Sequence, residues 1–215
     1  MDPRVLVSGL ILYLGLLVLL TFHEFGHAWV AWKLGDDTAY SRGRVSLNPL
    51  VHIDPIGTVV LPLLLIFLAP SGFFAGWAKP VPVNSDNFRN PRADDIMVTL
   101  AGPWMNLLLA VGLTGLARVG YIVHSPAMVE LCLNTSRLSL LLCFFNLLPI
   151  PPLDGSQVAR ALIGMSYETY KQIARYGMLI LILVLQVPLV QQILDTWTTT
   201  SWLAIAGWFG IPLAN

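Results

Sequence analysis

The amino-acid sequence predicts an all-α polytopic membrane protein, with about five to six transmembrane or re-entrant segments and short membrane-associated β strands. Three observations lead there. Of 215 residues, 56% are hydrophobic and only 11% charged, and the mean hydropathy is +0.71, outside the range of domains that fold in water. Long apolar runs recur, with prolines and charges gathered at their ends. Between them, Trp77 to Val83 alternates around Pro80 and Pro82, which forbids helix and fits an extended strand with one unpaired edge. The 12 basic and 12 acidic residues cancel, so the composition points to no nucleic acid or other polyanion, and the expected partner is the lipid bilayer. Residues 1–215 read as one integral membrane domain, with a core at 5–163 and C-terminal membrane segments at 171–212.

In order along the chain, Val5 to Trp32 carries no ionisable side chains other than His23, Glu24 and His27. As one helix it reaches about 42 Å, more than an apolar core of about 30 Å requires. Lys33 to Asp54 is a polar surface excursion, with room for a hairpin at Gly43 to Leu47. Gly57 to Ala69 is apolar but short and is followed by Pro70, Ser71 and Gly72, which suits a re-entrant segment better than a span. After the extended Trp77 to Val83, Asn90 offers a cap, Pro91 a first helical residue, and Asp94 and Asp95 suit the first turn of a span running to about Ala117. The next span starts between Ala127 and Ser136 and runs to about Leu148, where Pro149, Pro151 and Pro152 end it. Tyr176 to Leu194 reads as another span, and Trp202 to Ile211 as a last crossing or an interfacial helix. Cys132 and Cys143 have no partner pattern and read as buried packing thiols.

The chemistry-bearing residues lie inside apolar sequence. In a helix, His23 and His27 of HEFGH share a face and can offer two imidazole nitrogens to one cation, with Glu24 beside them as a proton acceptor for water. Ionisable groups in a span cost about 2.5–3.5 kcal/mol each when charged and mark function. Two histidines leave a zinc site one protein ligand short. Most acids lie in polar stretches, whereas Asp154 follows the proline run of FNLLPIPPL. Non-helical backbone at membrane depth is tolerated only against protein or a water-filled cavity, so a carboxylate there suits a ligand; its other reading is an N-cap for the helix that follows. His52 is either a substrate contact or a loop anchor, and Asn106 either an amide donor to substrate or an interhelical bond beside Gly102 and Pro103.

Crossing parity supports one depth for both halves of this site. With a re-entrant 57–76, the ends of the first helix and of the helix closing at Leu148 fall on the same side. Lys33, Arg42, Arg44, Lys79, Arg89, Arg92, Arg160, Lys171 and Arg175 then face the cytosol, leaving Arg4, Arg118 and Arg137 on the other side or near it. The motif would sit about 10 Å into the membrane from the cytosolic face.

HEFGH, NPLVHIDPIGT, GWAKPVPVN, AGPWMN and FNLLPIPPLDG together resemble the site-2 protease family of intramembrane zinc metalloproteases, from about Leu6 to Ala161. The resemblance implies one Zn2+ per chain held by His23, His27 and Asp154, Glu24 as general base, and Asn146 in an oxyanion-stabilising or substrate-positioning role. It implies a minimal form without PDZ or CBS domains, in a multi-pass cell-membrane protein. The substrate would be a transmembrane protein cleaved in regulated proteolysis with the active site toward the cytosol. A helical substrate must be unwound to be cut, and Trp77, Lys79, Val81 and Val83 are the expected contacts for the extended segment, by strand addition, with Asn106 as a further contact. A zinc or other metal-ion transporter is the alternative from another class, since intramembrane His and carboxylate groups also mark ion pathways.

Overall fold

The computed structural model describes residues 3–68 and 76–212. Helix α1, Pro3–Lys33, is continuous through the HEFGH motif. It stops where Gly35 adopts a φ of +107° and the chain turns into the short α2, Thr38–Ser41. Asn48 and Asp54 then cap two tight turns with their side chains, Asn48 accepting from the Leu50 N–H and Asp54 from the Ile56 and Gly57 N–H groups. The second, a π-helical turn at Pro55–Val60, feeds α3, Leu61–Leu68. This apolar helical stretch is short, and its start lies beside the returning chain, since the Trp77 N–H donates to the Gly57 carbonyl at 3.2 Å. The turning point, with Pro70, Ser71 and Gly72, lies outside the described residues.

Among the described residues, helix α4, Pro91–Ile122, and α5, Pro126–Asn146, with Leu6–Lys33 of α1, are the three helices long and apolar enough to cross a membrane. Pro91 occupies the first turn of α4 as expected. The cap works in reverse, however: Asn90 makes no side-chain cap bond, and Asp94 reaches back to the Asn90 N–H at 2.9 Å. α4 continues past the expected end at Ala117 because Ala117 and Gly120 still pack on α5, where a side chain at Gly120 would press on Val129. Small and hydroxylated residues bring the two helices together. Thr114 and Ser136 hydroxyls are 2.7 Å apart, Ser136 also donates to the Ala110 carbonyl at 3.0 Å, and Ser139 donates to the Asn106 carbonyl at 2.6 Å. This is the packing that helices use where lipid offers no hydrophobic drive. Cys132 and Cys143 are buried and unbonded.

After the proline run come α6, Asp154–Ile163, and α7, Tyr167–Ala174. The expected Tyr176 to Leu194 span is instead two helices, α8, Gly177–Leu185, and α9, Pro188–Trp208, bent by 81°. Pro188 lacks an N–H and holds Val187 extended, so the helix must break there. Trp202 is therefore not in a separate segment but in α9, where it packs with Ile205 against Ala110 and Leu140. Among the described residues, three helices are long and apolar enough to cross a membrane, or four if the bent pair is counted as one broken span, fewer than the five to six segments expected.

The expected strands do not form: among the described residues there is no β ladder. Gly43 to Leu47 is turn and bend. Residues 77–83 are extended, as their prolines dictate, but the N–H groups of Trp77, Lys79 and Val81 are taken by acceptors other than a neighbouring strand. Lys79 donates to the His52 carbonyl at 2.9 Å and Val81 to the Glu24 carboxylate at 3.0 Å.

Downstream of these residues, the chain is pinned to the end of α1 by the fully buried Asp36. Its carboxylate accepts from the Asn84 N–H and the Asn87 Nδ2, each at 2.8 Å, and from the Thr38 backbone and hydroxyl. Burial alone would push this carboxyl up, but the hydrogen bonds outweigh it and hold it below the usual carboxylate range. Its contribution is therefore complete above the unfolded-state value of about 4 and is lost as pH falls through the lower folded value. Asp36→Ala should leave the Thr38, Asn84 and Asn87 donors without their charged acceptor and destabilise the protein by about 1–3 kcal/mol. Thermal unfolding in detergent should show a lower midpoint at pH 7, with the gap to wild type narrowing as pH falls below about 4.

Candidate metal centre

His23 and His27 stand one turn apart on the face of α1 that meets α4, and both are buried. Two glycines make the approach close enough. A Cβ on Gly26 would lie 2.8 Å from the Ala101 carbonyl oxygen, and one on Gly102 would lie 2.3 Å from His27 Nε2 and 2.7 Å from His23 Cε1. Both imidazoles thus pack where a side chain on α4 would otherwise be. The His27 Nδ1 lies 2.8 Å from the Val98 carbonyl oxygen. A carbonyl can only accept, so Nδ1 carries a proton, and in the neutral ring this leaves the Nε2 lone pair free for a cation.

Asp154 arrives from the other side. The chain leaves α5 and turns through Pro149, Pro151 and Pro152, with Leu153 donating to the Ile150 carbonyl at 2.9 Å. Gly155 sits so close to this turn that a Cβ would lie 2.2 Å from the Leu147 oxygen. Behind it, Ser156 donates to the Leu153 carbonyl at 2.7 Å and contacts the Tyr170 hydroxyl at 2.9 Å. Arg160 pairs with Asp95, and Arg92 donates to the Leu162 carbonyl, docking α6 on the start of α4. The N-cap reading of Asp154 does not hold. It is the first residue of α6, after Leu153 at the cap, and its buried Oδ2 has no hydrogen-bond partner.

That unpartnered oxygen lies 3.1 Å from His23 Nε2 and 3.4 Å from His27 Nε2, and the two nitrogens are 3.1 Å apart. A tetrahedral ion with bonds of about 2.0–2.1 Å has ligand atoms about 3.3–3.5 Å apart. The three atoms match that triangle to within a few tenths of an ångström. The donor set of two imidazoles and a carboxylate suits Zn2+ and leaves a fourth position open. The residues therefore fit a metal ion, and His23, His27 and Asp154 form such a group.

Glu24 is not one of the three converging groups. Half-buried beside the two histidines, it accepts the Val81 N–H at Oε2 and so joins the site to the extended segment. That segment is held from behind by Arg44, a buried residue whose Nη2 donates to the Lys79 carbonyl at 2.6 Å and lies 3.5 Å from His52 Nδ1. His52 Nε2 in turn donates to the Ser46 carbonyl at 2.8 Å. Burial, with Arg44 beside it, holds the His52 imidazole below its usual value and neutral. His52 is a loop anchor. Trp77, Lys79 and Val83 keep exposed side chains and Val81 a half-buried one, whereas the N–H groups of Trp77, Lys79 and Val81 are all occupied within the protein. Asn146 ends α5 with its Nδ2 on the Leu142 carbonyl at 2.9 Å, and Asn106 is fully buried with its carboxamide against His23. Sequence reading missed Gly26, Gly102 and the inward role of Arg44. The glycines carried a signal, since each sits beside a motif residue on a helix face; Arg44, one arginine in a polar loop, carried none.

Gly102→Ala should displace the His27 ring and weaken metal binding by at least about 10-fold while leaving the helices in place. Metal content after equilibrium dialysis, read beside far-UV circular dichroism, checks this; unchanged metal content would show that the α1–α4 contact does not set the site.

The chain is also similar to known proteins. Peptidase family M50 matches residues 11–125 and 121–185. YwhC of Bacillus subtilis strain 168, provisionally named as a zinc metalloprotease, is 38% identical over 190 residues, covering 83% of this chain and 81% of its own. Rip2 of Mycolicibacterium smegmatis, named in the same way, is 36% identical over 180 residues, covering 81% of this chain and 66% of its own. Rip2 of Mycobacterium tuberculosis H37Rv is 35% identical over 144 residues, 66% of this chain and 52% of its own. No solved structure matches the chain. Nothing in these relatives supports the metal-transporter alternative. An α-helical membrane protein with a His, His and Asp cluster able to hold a metal, matched over most of its length by this family, is a metallopeptidase, and the chain belongs to peptidase family M50, the site-2 proteases.

Proposed function

We propose that this chain is an intramembrane zinc protease that holds one Zn2+ on His23, His27 and Asp154 and cuts membrane-spanning proteins near the cytosolic face in regulated intramembrane proteolysis. The observation that carries the reading is the convergence of two imidazole Nε2 atoms and an unpartnered, buried carboxylate oxygen beside Glu24. Zinc, when bound, supplies a Lewis acid that polarises a scissile carbonyl and makes water acidic. Glu24 serves as the general base. The Val81 N–H fixes Oε2, which leaves Oε1 to take the proton from the attacking water and pass it to the leaving amine. Asn146 is the proposed amide donor to the substrate, which requires its Nδ2 to leave the Leu142 carbonyl.

The substrate must be extended where it is cut. Trp77, Lys79, Val81 and Val83 alternate along one face of the extended segment, and their side chains are the proposed contacts. Occupation of the N–H groups at Trp77, Lys79 and Val81 leaves Ala78, Pro80 and Pro82 to supply any strand-like edge. The cytosolic placement rests on charge. Lys33 ends α1, Arg89 and Arg92 flank the start of α4, and Arg160 lies on α6, so the end of the bundle that carries the site is basic.

The test is Glu24→Gln, which should keep its zinc, lose about 100-fold or more in hydrolysis, and accumulate uncut single-span proteins in membranes. Asp154→Ala should lose zinc as well as activity. Undiminished cleavage by Glu24→Gln, or full zinc occupancy in Asp154→Ala, would overturn these assignments.

A further inference from the structure

Asn106 has an incomplete hydrogen-bonding arrangement at the centre of the protein. It is fully buried on α4, one turn beyond Gly102, and its backbone carbonyl is held by Ser139 from α5. Its carboxamide Nδ2 lies 3.2 Å from His23 Nδ1, while the buried Oδ1 meets no partner. If His23 offers the Nε2 lone pair to a cation, the ring proton must sit on Nδ1, and that N–H needs an acceptor. A half-turn of the carboxamide exchanges two groups of the same shape. It sets Oδ1 against the Nδ1–H, replaces a donor facing a donor with a hydrogen bond, and pairs the oxygen that otherwise has no partner. His27 already has the equivalent arrangement, with its Nδ1 on the Val98 carbonyl two turns earlier along α4.

We infer that Asn106 is a positioning residue of the metal centre, its Oδ1 accepting the His23 Nδ1–H and so fixing the tautomer and ring direction that aim Nε2 at the ion. α4 would then orient both imidazoles, His27 through a backbone carbonyl and His23 through a carboxamide. This rests on the reading of His23, His27 and Asp154 as ligands, and it assigns Asn106 to the metal instead of to the substrate.

The experiment is a zinc affinity measurement on the full chain in detergent, by competition with a chromophoric chelator, for wild type, Asn106→Leu, Asn106→Ala and Asn106→Asp. Leu keeps the size and removes the acceptor, Ala removes it without adding bulk, and Asp retains it. Both Leu and Ala should weaken zinc binding by about 10–100-fold, and Asp should bind at least as tightly as wild type. Helix content and thermal midpoints identify any variant that fails to fold, and either acceptor-free variant suffices for the comparison. Wild-type affinity in the folded Leu or Ala variant, or loss in Asp equal to theirs, would overturn the role of Asn106 and leave the ligand assignment standing. Failure of the wild-type protein to bind zinc would overturn both.

Discussion

The close crossing of α1 and α4 is the constraint on which the rest of this protein depends. At Gly26 and Gly102 there is no room for a Cβ: the Ala101 carbonyl packs against the first, and the His23 and His27 rings fill the space at the second. The same contact puts the Val98 carbonyl and the Asn106 carboxamide against the two Nδ1 atoms, so both Nε2 atoms turn toward Asp154. Without that approach the histidines would be two costly polar groups in an apolar helix.

The second half of the site depends on the first by way of α4. Asp154 enters at the start of a short helix whose position is set by the proline turn before it and by the Arg160–Asp95 pair behind it. α4 thus contacts the histidines along its middle and docks α6 near its start. The extended segment closes the remaining side. Glu24 holds Val81, Arg44 holds Lys79, and Asp36 holds Asn84, so charged side chains fix a stretch whose prolines prevent it from joining a sheet. Irregular backbone is acceptable here because protein groups satisfy it.

Much of this was legible in the residues, for reasons that are physical. Ionisable groups in apolar sequence are expensive, so His23, Glu24, His27 and Asp154 stood out, and the three prolines before Asp154 announced a break in helix. Pro91, Asp94 and Asp95 marked the start of α4. The partners of the extended segment were not legible: that Lys79 would pair with His52, and Val81 with Glu24, depends on folding across tens of residues. The bend before α9 was missed although Pro188 was in view, because the flanking leucines and valines suit an unbroken span. A reversed cap at Asn90 and Asp94 and the burial of Arg44 likewise follow from tertiary context and not from local propensity.

The central claim is that two imidazoles and one carboxylate converge on a single zinc ion within the membrane domain. Zinc X-ray absorption on the purified protein, compared with Asp154→Ala, tests it most directly. The account predicts one zinc per chain with nitrogen and oxygen neighbours at about 2.0–2.2 Å, an imidazole scattering pattern from two rings, and no sulfur. It also predicts that Asp154→Ala loses the ion or changes the first coordination sphere. A sulfur neighbour, or a spectrum that Asp154→Ala leaves unchanged, would contradict it.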